Sequence, residues 1–453
     1  MRGGASSTTA SSSGTAVPKS LELPVDVLRE PDDRRAAGLS GSRRHNRDNK
    51  GFMSANEERM HVGLYHEPVH TDGRTFDTYG PYARYVLEFA RHFDRVTVFA
   101  PTTDQPTYFS GVPLDAPNIT VAPLPFFLTH AQAYAHAIGI ARVFRKHAGN
   151  LDVINCRNTA PLAYLLRWLT RKRGVPFIYH FSTDPFEVIG RSERYRGLYR
   201  RFARTAYGLE FAIQKRIMRK NHSFTTGRRL CDQLRHITPN VEPLLASSLR
   251  DDDYYQREDT CGGEVVRVLY VGRLHPGKGL DHLIAAVKML RDRGRAVELD
   301  LVGEGPLRNE LASQVQGTGL GPHVRLHGHA VVGPELNAHY NAADVFAMPS
   351  LSETGPMAVL EAMGHSLPVV ATDVGSVREM LDEGRRGMIV MPGDSAAIAE
   401  AVAHVIDDGD FRRRCIREGF EFAREHGVSA FVAPIVRTAR QLVQERRSRR
   451  DGP

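Results

Sequence analysis

Apolar positions along the chain alternate between short continuous runs and longer segments with a helical period. Short runs rich in Val, Ile, Leu and Phe, bounded by turn-forming residues, predict strands that are buried on both faces. Before residue 245 the predicted strands are His61–Tyr65, Arg95–Ala100, Asp152–Cys156, Phe177–Phe181 and Ser223–Thr226. After residue 264 they are Val265–Val271, Val297–Val302, Val324–His327, Val345–Met348, Pro368–Ala371 and Met388–Val390.

Amphipathic segments separate these runs and follow them within a few residues. The predicted helices are Pro81–Arg91, Thr159–Arg171, Leu280–Arg293, Pro306–Gln314, Ser395–Asp407 and Ser429–Arg446. Regular alternation of strand and helix is typical of parallel sheets covered by helices on both faces. We therefore predict an α/β fold, in which two doubly wound parallel-sheet domains face each other across a cleft.

Changes in composition mark the boundaries of these domains. Residues 1–58 are rich in Ser, Thr, Gly and Arg without an apolar period, which predicts a disordered tail. An organelle transit peptide, or a true start at Met53 or Met60, is an alternative for this segment. Residues 59–245 form the predicted first domain and 264–428 the second, with 429–453 as a C-terminal helix and basic tail. The aperiodic stretch 246–263 is the predicted hinge, and its run Asp251-Asp252-Asp253 is interpreted as solvated.

Composition favours a water-soluble protein over a membrane protein. The chain has 453 residues, of which 41% are hydrophobic and 25% charged, and it has no run of about 18 uncharged apolar residues. Its four cysteines form no Cys-x-x-Cys pair, so free thiols in a reducing compartment are expected. These features predict a cytoplasmic location.

Positive charge is concentrated in one part of the first domain. From Arg191 to Arg229 there are twelve Lys or Arg against two acids, whereas the whole chain carries a net charge of +8. Such a segment attracts anions, so we expect an anionic membrane surface or a phosphorylated lipid on the inner face of the membrane. No zinc-finger or RNA-recognition spacing accompanies it, which argues against nucleic acid. A solvated basic helix with no partner is the alternative.

Two carboxylates flank a Gly-Pro turn after the predicted strand Val345–Met348. Glu353 and Glu361 are eight residues apart, with the start of a helix between them. Gly355 and Met357, on either side of the proline, lie where backbone N–H groups at a helix N-terminus can bind a diphosphate. Glu353 would then contact sugar hydroxyls and Glu361 ribose hydroxyls. Glycoside hydrolysis needs two carboxylates about 5 to 10 Å apart, which this spacing does not favour.

A second strand-to-helix turn, Val271 to Leu280, carries two cations. Gly272, Gly277 and Lys278 nearly complete a P-loop, but Gly279 stands where a magnesium-binding Ser or Thr is needed. Arg273 and Lys278 can instead neutralise a departing diphosphate without metal.

Two glycines further along the second domain are candidate nucleoside contacts. Gly303 follows one predicted strand and Gly328 ends the next. A glycine allows a ligand to approach the backbone closely, so both are candidates to contact the nucleoside.

These motifs, in this order, resemble the retaining GT-B nucleotide-sugar glycosyltransferases of the glycogen-synthase-like group, glycosyltransferase family 4. The segments that carry the resemblance are Val271-Gly272-Arg273-Leu274, Lys278-Gly279, Leu301 to Leu307, Val324 to Gly328, Ala343 to Val345, Pro349-Ser350, Glu353 to Glu361 and Pro368 to Thr372. The family's frequent Glu-Gly-Phe-Gly appears here as Glu353-Thr354-Gly355-Pro356, so Pro356 cannot donate a backbone N–H.

The resemblance implies roles for both halves of the chain. It implies an acceptor-side first domain, a second domain that binds a UDP-sugar or GDP-sugar, and C-terminal helices that cross back. Gly80 would lie under the donor phosphates, and His180, at a strand end, would be a catalytic residue with Glu353. The implied reaction moves a hexose to a saccharide, lipid-linked or small-molecule acceptor with retention and without metal or other cofactor. A nucleotide-sugar epimerase and a non-catalytic sugar-nucleotide-binding protein remain alternatives.

Overall fold

The computed structural model describes residues 59–65, 67–105, 111–157, 161–182 and 197–451. The predicted tail, and the part of the basic segment before Gly197, lie outside these residues. In the first domain the strands are β1 His61–Tyr65, β2 Val69–Thr71, β3 Phe76–Thr78, β4 Arg95–Thr103, β5 Val112–Pro113, β6 Ile119–Leu124, β7 Val153–Arg157, β8 Phe177–Phe181, β9 Ser223–Thr226 and β10 Val241–Leu244. Its helices are α1 Gly80–His92, α2 His130–Ala135, α3 Ala137–His147, α4 Ala163–Arg171, α5 Gly197–Met218 and α6 Arg228–Leu234.

The second domain repeats the alternation. Its strands are β11 Val266–Val271, β12 Val297–Val302, β13 Val324–Gly328, β14 Val345–Met348, β15 Val369–Thr372 and β16 Gly387–Val390. Its helices are α7 Leu280–Asp292, α8 Arg308–Gly317, α9 Pro334–Ala342, α10 Met357–Gly364, α11 Val377–Met380, α12 Ser395–Asp407 and α13 Gly409–Glu425. The last helix, α14 Val428–Asp451, follows without a further strand in the described residues.

Each domain is built on a mainly parallel sheet. The first sheet runs β10-β9-β8-β7-β1-β4-β2-β3-β5, with β6 beside β4, and only the short β2–β3 and β3–β5 pairs are antiparallel. The second runs β13-β12-β11-β14-β15-β16 and is wholly parallel. Strand order reverses between β11 and β14, which is the point where open parallel sheets bind ligands. The predicted α/β class with two doubly wound domains is confirmed.

The last helix returns to the first domain, as the GT-B resemblance implies. Phe431, Val432 and Ile435 of α14 are buried in the same apolar core as Val86 and Phe89 of α1. The ring of Phe431 stacks on Tyr85, with centroids 4.7 Å apart. The C-terminal segment therefore covers one face of the first sheet, although it follows the second domain in sequence.

The sequence pattern did not predict β2, β3, β5, β6 or β10, and of these β5, β6 and β10 are edge strands that contain proline. Pro123 lies in β6, which pairs only with β4, and Pro243 lies in β10, which pairs only with β9. Proline cannot donate to a sheet ladder and is confined to such edges. Its presence therefore weakened the strand pattern without preventing pairing on one side.

The acidic run of the linker is only partly solvated, although its composition predicts full solvation. Asp251 and Asp252 are exposed, but Asp253 is only 6% exposed and accepts hydrogen bonds from Arg84 Nη1 and Nη2 at 2.5 and 2.9 Å. Asn337 Nδ2 of α9 donates to the same carboxylate at 3.0 Å. Burial alone would raise the pKa of Asp253, but the hydrogen bonds from Arg84 and Asn337 outweigh it and lower the pKa. The interpretation of Asp253 as solvated is wrong, because this carboxylate joins α1, the linker and α9.

Removing the Asp253 carboxylate should strongly destabilise the fold. In Asp253→Ala the Arg84 guanidinium stays buried without its partner, and breaking a buried pair in this way costs about 3 to 5 kcal/mol. Urea unfolding followed by circular dichroism measures this loss of unfolding free energy. The matched control is Asp252→Ala, one residue away on the surface, for which a change within about 0.5 kcal/mol is expected. Equal stability of the two variants would contradict a structural role for the pair.

Candidate functional site

Two loops meet where the order of the second sheet reverses. One follows β11 and contains Gly279, and the other follows β14 and contains Leu351. The N–H of Leu351 donates to the carbonyl of Gly277 at 2.9 Å, so the loops are hydrogen-bonded to each other. Gly279 has φ +59°, and a Cβ there would lie 2.4 Å from the carbonyl oxygen of Pro349. Only glycine permits both this conformation and this contact between loops.

These loops pair two of the candidate residues directly. Lys278 Nζ donates to Glu353 Oε1, and Ser350 Oγ donates to the same oxygen at 3.0 Å. Both charged side chains are partly buried, with 22% of Lys278 and 16% of Glu353 exposed. The carboxylate is therefore held in one orientation and partly neutralised by the same lysine that the sequence suggests for phosphate.

Arg273, by contrast, is a cation without an ion-pair partner in the part of the chain that the structure describes. Its side chain is exposed and makes no hydrogen bond or ion pair with the described residues, while its carbonyl accepts from Tyr270 Oη at 3.1 Å. Burial and then the charges of Arg273 and Lys278 lower the pKa of His275 between them. The loop thus has a positive potential that suits an anionic ligand.

Glycines at three neighbouring strand ends form an adjoining surface of bare backbone. Gly303 N–H donates to the Gly328 carbonyl at 2.7 Å, and a Cβ at Gly303 would lie 1.9 Å from the carbonyl oxygen of Gly272. The residues after β11, β12 and at the end of β13 are therefore in contact through backbone atoms. Glycine at these positions therefore lets the strand ends pack against each other more closely than side chains would allow.

The turn before α10 contacts the first domain. A Cβ at Gly355 would lie 2.3 Å from Thr226 Cγ2, and Met357 Sδ accepts from Tyr85 Oη at 3.3 Å. Helix α10 begins at Met357 with Pro356 as its N-cap residue, so Glu353 precedes the helix. The two acids that the sequence pairs are therefore on different structural elements.

Glu361 lies within α10 and is almost completely buried. Its Oε1 accepts from Ser248 Oγ at 2.5 Å and its Oε2 from Tyr340 Oη at 2.9 Å. Glu361 remains 8% exposed. Burial raises the pKa of Tyr79, and the negative charge of Glu361 raises it further. Glu361 thus lies near the start of α1, on the side of the second domain that faces the first.

His180 approaches the same interdomain boundary from the end of β8. It is 2% exposed, its Nε2 lies 3.3 Å from Thr226 Oγ1, and its ring lies 5.5 Å from that of Phe431. Burial, and then the charge of Arg157, lower its pKa to about 3. The imidazole is therefore neutral near pH 7, and it is linked through Thr226 to the turn at Gly355.

Gly80 brings the first helix against the second domain. It is the first residue of α1, and a Cβ there would lie 2.5 Å from Val332 Cβ in the segment between β13 and α9. The structure therefore gathers the sequence candidates of both domains along one boundary, with Gly80 and His180 on one side and the loops after β11 and β14 on the other.

A shallow groove opens along this boundary beside Glu353. Its walls are Thr226, Gly227, Arg229, Leu230 and Gln233 from the first domain and Glu353, Thr354, Gly375 and Ser376 from the second. Arg229 and Gln233 are exposed, and Ser376 Oγ is buried without a hydrogen-bond partner in the described part of the chain. Sequence reasoning missed these three. For Arg229 and Ser376 the available signal was their position a few residues after predicted strands, since parallel strands in one sheet end at the same edge. Gln233 lies further along, within α6.

Two family profiles match the chain in tandem. The profile "Glycosyl transferase 4-like domain" matches residues 80–222 and "Glycosyl transferases group 1" matches residues 265–408. The chain is 31% identical to alpha-D-kanosaminyltransferase of Streptomyces kanamyceticus, over 32% of this chain and 38% of the relative. It is 33% identical to a phosphatidyl-myo-inositol mannosyltransferase of Mycobacterium leprae, over 38% of this chain and 45% of the relative. These matches span less than half the length of each relative.

The fold is also that of a solved structure. Anabaena Alr3699/HepE in complex with UDP and glucose superposes with a TM-score of 0.62 at 15% identity, over 84% of this chain and all of that one.

The low pKa of His180 predicts an acid-sensitive contribution to stability. An unfolded histidine titrates near pH 6.5, whereas folded His180 stays neutral down to about pH 3. As pH falls below about 6.5 the unfolded chain binds a proton that the folded protein excludes, so stability decreases. We expect His180→Gln to lose less unfolding free energy than wild type between about pH 6.5 and 4. Urea unfolding at several pH values measures the slope, with exposed His236→Gln as control. Parallel slopes for wild type and His180→Gln would contradict the assignment.

Proposed function

The chain belongs to the glycosyltransferases with the GT-B fold, and on that premise we propose that it moves a hexose from a nucleoside-diphosphate sugar to an acceptor hydroxyl. We propose retention of configuration at the anomeric carbon. The acceptor class is a saccharide, a lipid-linked sugar or a small molecule. The observation that carries the proposal is the arrangement at the reversal of strand order, where free Arg273 and the Lys278–Glu353 pair occupy adjoining loops.

The charges of this arrangement match the reaction. Cleavage of the donor leaves a nucleoside diphosphate, whose negative charge grows in the transition state and is stabilised by fixed cations. Arg273 is available to bind the diphosphate, and Lys278 can share its three N–H donors between Glu353 and a phosphate oxygen. We propose that these cations perform the reaction's charge neutralisation without a metal. Among the described residues no group of three or more His, Cys, Asp or Glu is arranged to hold a metal ion.

The remaining candidates fit the other parts of the donor. We propose that the base lies over Gly303 and Gly328, that Glu361 binds the ribose and that Glu353 binds the sugar. Backbone groups at Gly80, Gly355 and Met357 would face the diphosphate. The Anabaena neighbour was solved with UDP and glucose, which supports a UDP-sugar, and a GDP-sugar is the other candidate.

His180 is the proposed catalytic residue from the first domain. Because its pKa is about 3, it is a neutral hydrogen-bonding group near pH 7 rather than a cation. It lies one hydrogen bond from Thr226, which lines the groove beside Glu353. We propose that the acceptor enters this groove, where Arg229 and Gln233 offer donors opposite the carboxylate.

Loss of either cation should slow transfer without disturbing the fold. Removing one charge-stabilising donor costs about 3 to 4 kcal/mol of transition-state stabilisation, so Arg273→Ala and Lys278→Ala should each lose two or more orders of magnitude in turnover. Wild type and variants are incubated with UDP- and GDP-hexoses in excess chelator, and mass spectrometry follows transfer, hydrolysis and epimerisation. Arg293→Ala, which removes an exposed cation of the same domain, is the control.

Three outcomes would count against these assignments. Full activity of either variant, or wild-type activity that disappears with chelator, would refute the cationic clamp. Epimerised donor as the sole product, or binding with no turnover on any acceptor tested, would refute glycosyl transfer.

A basic helix in the first domain supports a peripheral membrane location. In α5 the exposed Arg201 and Arg216 share a stripe at helical spacing with the exposed Leu209 and Ile213, and the exposed Arg204 lies beside this stripe, next to Arg201. Cations beside apolar side chains are typical of helices that lie on anionic bilayers. We propose that this stripe binds the inner face of a membrane carrying a lipid-linked acceptor. No helix in the described ranges is long and apolar enough to span a bilayer.

Binding to anionic vesicles tests this surface. Each Lys or Arg near an anionic bilayer contributes about 1 kcal/mol, and salt screens the attraction over roughly 8 Å. Wild type should therefore sediment with vesicles containing phosphatidylglycerol, less so as salt rises, and the triple reversal Arg201→Glu, Arg204→Glu, Arg216→Glu should abolish sedimentation. The control reverses the exposed Arg267, Arg424 and Arg437, which gives the same net charge elsewhere. Equal sedimentation of both triple variants would refute a role for α5.

A further inference from the structure

The Glu361 carboxylate is held from two sides by hydroxyl groups of other elements. Ser248, in the linker between the domains, donates to Oε1, and Tyr340, in α9, donates to Oε2. Ser248 and Tyr340 are each 1% exposed. None of the sequence motifs includes either hydroxyl, and they reach Glu361 from positions 113 and 21 residues away.

Both donors are themselves fixed. The Tyr340 ring stacks on His365 with centroids 4.9 Å apart and an interplanar angle of 10°. Burial, and then the charge of Glu361, raise the pKa of Tyr340 well above its usual value, so the phenol keeps its proton and always donates. The backbone carbonyl of Ser248 accepts from Arg84 Nη1 at 2.7 Å, and Arg84 is also bound to Asp253.

This arrangement leaves acceptor capacity on each oxygen of Glu361. A carboxylate has about four lone-pair sites, and the two hydroxyls occupy one on each oxygen. A ribose presents two neighbouring hydroxyls, each of which can donate one hydrogen bond. A carboxylate whose orientation is already fixed can accept from both without losing rotational freedom on binding, which is a gain in affinity from preorganisation.

We propose that Ser248 and Tyr340 are positioning residues that aim Glu361 at the 2′- and 3′-hydroxyls of the donor ribose. The inference deepens the proposed function and rests on it. It makes the interdomain linker part of the nucleoside site, because Ser248 contacts Glu361 with its side chain and the first domain with its backbone. Ser248 and Tyr340 thereby determine how strongly the protein discriminates between ribose and 2′-deoxyribose.

Calorimetry with paired nucleotides separates positioning from simple stabilisation. UDP, 2′-deoxy-UDP, GDP and 2′-deoxy-GDP are titrated into wild type, Ser248→Ala and Tyr340→Phe. Wild type should bind the ribonucleotide of the preferred base more tightly than its 2′-deoxy form. Each variant should lose about tenfold in ribonucleotide affinity, the scale of one hydrogen bond to a charged group, and less in 2′-deoxynucleotide affinity. The ratio of the two affinities should fall towards the value for Glu361→Gln.

If the inference holds, two matched control variants should keep the wild-type ratio of ribonucleotide affinity to 2′-deoxynucleotide affinity. Ser247→Ala removes the neighbouring hydroxyl, which accepts from the N–H of Leu249, and Tyr254→Phe removes a phenol that donates to the carbonyl of Ala423. An unchanged ratio in Ser248→Ala and Tyr340→Phe, or an equal loss for both sugars, would overturn the positioning role. Failure of wild type to bind either ribonucleotide would overturn the proposed function itself, and the inference with it.

Discussion

The buried ion pair between Arg84 and Asp253 determines how the two halves of this protein meet. Arg84 lies on the first helix, whose opening residue Gly80 is packed under Val332 of the second domain. Asp253 lies in the linker and also binds Asn337 of α9. A charge that is buried needs its partner at hydrogen-bond distance, so this pair fixes α1 relative to the second domain. Elsewhere on the same boundary, Thr226 of the first domain packs against Gly355 in the loop after β14, and His180 lies next to Thr226.

The order of the strands in the second sheet places the polar groups of the candidate site at the boundary between the domains. In a parallel sheet every strand ends at the same edge, and the reversal between β11 and β14 leaves a crevice there. The loop after β11 supplies two cations and the loop after β14 supplies Glu353. Glycines at positions 279 and 303 allow backbone contacts that a side chain would block. The topology of the sheet therefore places the polar groups of the candidate site at one edge. The glycines, which have no side chains, allow the loops that carry these groups to approach each other closely.

The features that neighbouring residues determine could be predicted from the sequence. The apolar runs predicted β1, β8, β9, β12 and β14 with the bounds that the structure has, and the linked motifs identified the fold. It could not reveal contacts made across the chain, such as Asp253 with Arg84 at a separation of 169 residues, or Glu361 with Ser248. An aspartate in an acidic run and a serine in an aperiodic linker look solvated until their partners are known. The roles proposed for His180, Glu353 and the other site residues remain predictions.

The Lys278–Glu353 pair has a kinetic implication. Because these opposite charges offset each other at a distance, Arg273 is the cation of this loop whose long-range field is not offset by an ion-pair partner among the described residues. Electrostatic steering increases with the net charge that an approaching anion meets, and salt screens it. On the proposed assignment, Lys278 therefore adds little to the long-range attraction of a nucleotide. It would contribute at contact, by sharing its N–H donors between the Glu353 carboxylate and a phosphate oxygen.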